Sequence, residues 1–216
     1  RPIDVAVASG GTIYVVDFDL DRVLVFSPDG QFLTAWGSPG DAPGAFSSPS
    51  GIAIGPKGEI FVADFENHRI QVFDPTGRLL RVLGGEGHGD GQLYYPTGLA
   101  FDGVGNLYIA DTYNYRIQRW DPDGSVLAVW GSQGSGEDQF EAPSGITVDA
   151  HGVIYTADSG NHRLVAKNAD GTTNSTWELL ANGHPEMNSP SRLVAAGDQV
   201  YVVDPAKGTI LILRPE

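Results

Sequence analysis

The sequence predicts an all-β fold in which one small antiparallel unit is used five times. Three observations predict it. Pro2, Pro49, Pro96, Pro143 and Pro190 each stand 47 residues from the last. The phrase ADFENHRIQVFDPTG at 63–77 returns 47 positions later as ADTYNYRIQRWDPDG at 110–124. Between these marks the apolar runs are short strand patterns, and none has the length or period of a helix. A four-stranded unit repeating every roughly 40–50 residues is the signature of a β-propeller blade.

Within a unit the elements follow in a fixed order. The first strand comes after the proline, as in PSGIAIG at 49–55, apolar and rich in β-branched residues. The second, EIFVAD at 59–64, runs apolar and ends on Asp64. A short loop leads to Arg69, which opens the alternating third strand RIQVF. DPTG at 74–77, like SPDG at 27–30 and DPDG at 121–124, matches a type I turn, with Asp or Ser first and Gly last. RLLRVLG at 78–84 or SVLAVWG at 125–131 supplies the fourth strand, and a glycine-rich connection closes the unit. The blades of this single domain, 1–216, fall at about 2–48, 49–95, 96–142, 143–189 and 190–216.

The register carries specific side chains. Asp17, Asp64, Asp111 and Asp158 recur, then Asp204 one residue early. Five residues after each come Arg22, Arg69, Arg116 and Arg163, then Thr209. The Asp ends the second strand and the Arg opens the third, so the two can pair with each other or with loop amides. A feature present in every blade does not define one active site, and these residues are read as structural.

PSGIAIGPKGEIFVADFENHRIQVFDPTGRLL at 49–80 resembles the NHL repeat, whose Asn-His-Leu-like core is present as Asn67-His68-Arg69-Ile70 and Asn161-His162-Arg163-Leu164. Units 1 and 3 drift at that core (DLDRV, NYRI), and unit 5 has AKGTI instead. The resemblance covers essentially the whole chain. It implies a β-propeller, usually six-bladed, in a family of enzymes, sensor domains and interaction platforms. Fold carries over from such a resemblance; function does not.

The fifth unit supplies three strands and no fourth. Its last strand, Thr209-Ile210-Leu211-Ile212-Leu213, is apolar and is left with an unpaired edge, which templates pairing with another chain. Three readings follow: a fragment of a longer propeller, a compact five-bladed ring, or an end completed by another subunit in head-to-tail assembly.

Composition narrows the partners. The formal charge is −14, with 13 basic residues against 27 acidic ones, so nucleic acid and anionic membranes are unfavourable partners. No apolar run approaches the roughly 20 residues that span a bilayer. The loops after the second and fourth strands share one face of the disc. That face collects Asp19, Asp21, Asp41, Glu66, Glu86, Asp90, Glu137, Asp138 and Glu141, an acidic surface suited to a basic partner.

No catalytic constellation stands out. The chain has no cysteine. His88, His151 and His184 break the repeat, but no third histidine joins His88 and His184 on their face, whereas zinc needs three or four convergent ligands. DFDLDR at 17–22 begins like a calcium loop with Asp17, Asp19 and Asp21, yet has Arg22 where glycine is needed and Pro28 at the twelfth position. Calcium there is a weak prospect, and no cofactor is expected. GGEGHGDG at 84–91 lacks the Lys-Ser or Lys-Thr of a phosphate loop.

The most distinctive irregularity is aromatic. Tyr94 and Tyr95 precede Pro96, and Tyr113 and Tyr115 lie in the next loop on the same face, a grouping suited to protein contact. The expected function is a non-catalytic propeller that binds other protein chains, itself included, outside the cell or at its surface. There the sequon Asn174-Ser175-Thr176 would accept a glycan. The alternatives are an NHL-type metal-dependent lyase or hydrolase, or the ligand-sensing domain of a longer membrane protein.

Overall fold

The computed structural model describes residues 1–178 and 189–214. They form an all-β propeller of five blades, and no α-helix occurs among them. Blade 1 is β1 (Pro2–Val7), β2 (Ile13–Asp17), β3 (Arg22–Phe26) and β4 (Phe32–Trp36). Blade 2 is β5 (Pro49–Ile54), β6 (Ile60–Asp64), β7 (Arg69–Phe73) and β8 (Leu79–Gly84). Blade 3 is β9 (Pro96–Phe101), β10 (Leu107–Asp111), β11 (Arg116–Trp120) and β12 (Val126–Trp130). Blade 4 is β13 (Pro143–Val148), β14 (Ile154–Asp158), β15 (Arg163–Lys167) and β16 (Thr173–Glu178). Blade 5 has three strands, β17 (Arg192–Ala196), β18 (Gln199–Asp204) and β19 (Thr209–Leu213), as the sequence predicts. Within every blade consecutive strands pair antiparallel.

The core lies between blades, because each sheet is apolar on both faces. A leading face packs on the trailing face of the next blade. Phe61, Ala63, Ile70 and Val72 of blade 2 meet Leu99, Leu107, Ile109 and Trp120 of blade 3. Tyr14, Val16, Val23 and Val25 of blade 1 meet Ile52, Ile60, Val62 and Phe73 of blade 2. Each valine, leucine, isoleucine or phenylalanine among them contributes about 1.5–3 kcal/mol on burial.

Near the axis the inner strands approach so closely that only glycine fits between three blade pairs. A Cβ on Gly51 would lie 1.9 Å from Thr97 O, one on Gly98 2.4 Å from Ser144 O, and one on Gly145 2.3 Å from Ser191 O. Gly98→Ala is therefore expected to destabilise the fold by about 1–3 kcal/mol, because the obstacle is backbone. A urea midpoint unchanged by the substitution would contradict that close approach. In the same register blade 1 carries Asp4 and blade 5 carries Arg192.

Inner strands pack neighbour on neighbour from β1 round to β17, but β17 and β1 do not pack on each other in this way. The seam between them holds a cavity of about 630 Å3, lined by Ile3, Val5, Val15, Arg192, Val203 and Pro205 among others.

Candidate functional site

The loops after the second and fourth strands are fixed on one face by a buried carboxylate. In blade 3, Asp111 Oδ1 accepts from the Tyr94 amide at 2.7 Å. Its Oδ2 accepts from Asn114 Nδ2 (2.9 Å), Arg116 Nε (2.7 Å) and Gln118 Nε2 (2.8 Å). Arg116 then donates to the carbonyls of His88, Gly89 and Gln92, tying down the connection that precedes the blade. Asp64–Arg69 at 2.7 Å and Asp158–Arg163 at 2.9 Å repeat the arrangement. Blade 1 differs. Asp17 accepts from the main-chain nitrogens of Arg1, Asp19 and Leu20, while Arg22 makes no ion pair with it and buries its Nε without a partner.

On this scaffold the structure brings Tyr94, Tyr95 and Tyr113 together. Tyr94 and Tyr95 lie 4.8 Å apart at 68°, and Tyr113 sits 5.1 Å from Tyr95 at 61°. The amide of Tyr113 donates to Tyr94 O at 3.1 Å, which sews the two loops together. Tyr115 takes no part in these ring contacts. It sits in the left-handed region at φ 55°, in the register that His68 and His162 occupy at φ 54°. The cluster also contains residues the sequence reading did not group with it. His68 stacks on Tyr94 at 4.9 Å and 13°, and its Nδ1 accepts from the Tyr95 amide at 3.0 Å. Phe65 lies 4.8 Å from Tyr95, and His88 lies 5.2 Å from Tyr94. The register held the signal: Tyr95 follows His68 by 27 residues, the separation at which a loop meets the connection one blade on.

The seam is the second unusual region. Blade 1 leaves Val5, Val7, Phe32 and Leu33 exposed, and blade 5 leaves Val194, Val203, Ile210 and Ile212 exposed. On β19 the outer edge has no strand partner among the described residues.

Models of the NHL repeat match residues 46–73, 93–120 and 140–166. This chain is an NHL-repeat β-propeller. No curated protein sequence matches it. Among solved structures, one of a nidogen/laminin complex is similar over 99% of this chain and 75% of that one, with 25% identity and a TM-score of 0.77. A virginiamycin B lyase from Staphylococcus aureus, bearing H270A and solved with quinupristin, matches 99% of this chain and 69% of its own, at 16% identity and TM-score 0.74. A streptogramin B lyase matches 100% and 69%, at 16% identity and TM-score 0.72.

In this NHL propeller no three His, Cys, Asp or Glu side chains converge as metal ligands among the described residues; His184 lies outside them. Of the three aspartates that suggested calcium, Asp17 accepts main-chain amides as above, and Asp21 Oδ1 takes the Ser48 amide at 2.7 Å. Asp19 faces the Arg1 guanidinium at 3.3 Å.

At the axis, Arg192 crosses from blade 5 to donate to Ser50 O of blade 2 at 2.7 Å, and its Nε lies 3.9 Å from Asp4. Burial pushes the Asp4 carboxyl above its ordinary 3.8, against the pull of Arg192 and of the Ile52 and Val5 amides. An acid raised on folding contributes stability that is fully present below its unfolded pKa and lost as pH rises through the folded one. Asp4→Asn is thus expected to raise the Tm at pH 7 and to lose that advantage as pH approaches about 4. Calorimetry across pH reads this directly, and a lower Tm at pH 7 would mean that attraction to Arg192 outweighs desolvation.

Proposed function

We propose that this NHL propeller is a non-catalytic interaction module that binds other protein chains and joins copies of itself head to tail through the open seam. The observation that carries it is a match between two exposed surfaces. The trailing face of blade 3 presents Leu99, Phe101, Leu107, Ile109 and Trp120 to blade 2. In the same register blade 1 has Val5, Val7, Ile13, Val15 and Phe26, with no blade before it among the described residues. The leading face of blade 3 presents Ala100, Tyr108, Ala110 and Ile117 to blade 4. Blade 5 has Val194, Tyr201, Val203 and Ile210 in those positions. The seam therefore displays the two halves of a contact that the chain already makes between its own blades. Joining one copy's leading face to another's trailing face is heterologous, and yields rings or open filaments. The unpaired edge of β19, residues Thr209–Leu213, adds main-chain donors and acceptors to the same junction.

Likeness to a structure of a nidogen/laminin complex supports protein partners. Likeness to the lyases is one of fold at 16% identity and carries no reaction to this chain. The proposal includes an extracellular or cell-surface setting; its support is the sequon at Asn174, an exposed residue of β16. Light scattering and electron microscopy of the untagged chain test the assembly. Masses that grow with concentration in steps of 22.9 kDa are expected. A monodisperse single-chain particle at every concentration would overturn it.

A further inference from the structure

Two loops of the same register carry the same aromatic–acid pair, and only one of them holds a cation. In blade 1 the loop after β2 presents Phe18 and Asp19. The Arg1 guanidinium lies over the Phe18 ring, with Cζ 4.4 Å from the centroid and Nη2 3.3 Å from Asp19 Oδ1. In blade 2 the corresponding residues are Phe65 and Glu66, and the position that corresponds to Arg1 is Ser48, which brings no cation. Glu66 is exposed; its Oε2 takes a hydrogen bond from Ser47 Oγ at 2.7 Å, and it has no ion pair.

Blade 3 builds walls beside this pair. The Tyr95 ring lies 4.8 Å from Phe65, and the half-exposed Tyr113 ring stands at 61° to Tyr95 and 88° to Tyr94. The hydroxyls of Tyr94, Tyr95 and Tyr113 make no hydrogen bond among the described residues. The arginines nearest in sequence, Arg69 and Arg116, are drawn into Asp64 and Asp111, with Arg116 also 3.9 Å from Asp90, and neither pairs with Glu66 or Glu86. Rings whose faces carry negative charge, beside an unpaired carboxylate, favour a cation that can stack.

We propose that Phe65 and Glu66, walled by Tyr95 and Tyr113, receive an arginine side chain from a basic segment of a partner protein. The guanidinium stacks on the rings and pairs with Glu66, as Arg1 does on Phe18 and Asp19. Arginine suits the site better than lysine because its planar fork stacks and bonds a carboxylate at once. The site is separate from the seam and does not depend on self-assembly.

The test is an NMR titration of the intact chain with acetyl-(Gly-Arg)3-amide, against the isosteric citrulline peptide, which lacks only the charge. Shifts at the rings of Phe65, Tyr95 and Tyr113 are expected, with affinity about tenfold above that of the citrulline peptide. Glu66→Gln and Tyr113→Ala, both at exposed positions, should each remove most of that difference. Equal binding of the two peptides, or shifts confined to other rings, would overturn the arginine assignment. Glu66→Gln leaves the seam untouched, so its effect on particle mass should be nil, and failure here stays distinct from failure of assembly.

Discussion

Asp111→Ala is expected to destabilise the propeller by about 3–5 kcal/mol, a Tm drop of roughly 10 °C for a chain of this size. Asp111 is fully buried and collects donors from Tyr94, Asn114, Arg116 and Gln118. Removing it leaves the Arg116 guanidinium, 8% exposed, with only the exposed Asp90 at 3.9 Å as counter-charge, and takes the acceptor from the Tyr94 amide. The loss also reaches the surface, because the Tyr94 amide that Asp111 holds is the anchor of the tyrosine cluster. Near-ultraviolet circular dichroism should therefore lose tyrosine signal well below the unfolding temperature. Asp29→Ala supplies the contrast. Asp29 is an exposed turn residue bonded to Ser27 and Gln31, and its loss should fall within about 0.5 kcal/mol. Chemical denaturation of both variants decides the matter; similar small effects would mean that the Asp–Arg network is a surface feature.

That network was legible in the sequence because it repeats. A carboxylate that must accept loop amides and a guanidinium that must reach the carbonyls of the preceding connection recur wherever the loop geometry recurs, so Asp64–Arg69, Asp111–Arg116 and Asp158–Arg163 share one spacing. The strands were legible for the same reason, down to the three of blade 5. What the period concealed were its departures. Arg22 keeps the register but not the bond: Asp17 Oδ1 takes the Arg1 ammonium and the Asp19 and Leu20 amides, and no ion pair joins Asp17 to Arg22. Tyr115 lies close in sequence to Tyr113, but it holds the left-handed position of its loop and makes none of the ring contacts that join the other three tyrosines. His68 read as repeat motif, yet its ring stacks on Tyr94 and its Nδ1 holds the Tyr95 amide. Asp4 and Arg192 occupy a register of glycines, and the period gives no sign that folding brings them within 3.9 Å of each other. The sequence states what every blade does; the candidate sites lie where one blade differs from the rest.

Complementary single-face variants should restore in a mixture what each has lost alone. Val7→Asp puts a charge on the trailing face of blade 1, and Ile210→Asp puts one on the leading face of blade 5; these residues are 60% and 66% exposed, so neither substitution disturbs a packed core. Burying an unpaired carboxylate in an apolar contact costs several kcal/mol, enough to weaken a junction by about a hundredfold or more. Each variant alone is therefore expected to remain a single 22.9 kDa chain. Mixed in equal amounts, they retain one intact pair of faces: the leading face of the Val7→Asp chain and the trailing face of the Ile210→Asp chain. The mixture should form particles of twice the chain mass and no larger. An isologous contact predicts a different pattern, since each variant would keep or lose its own dimer regardless of the other. Sedimentation velocity separates these outcomes, and two monomers that ignore each other would leave the seam without the role assigned to it.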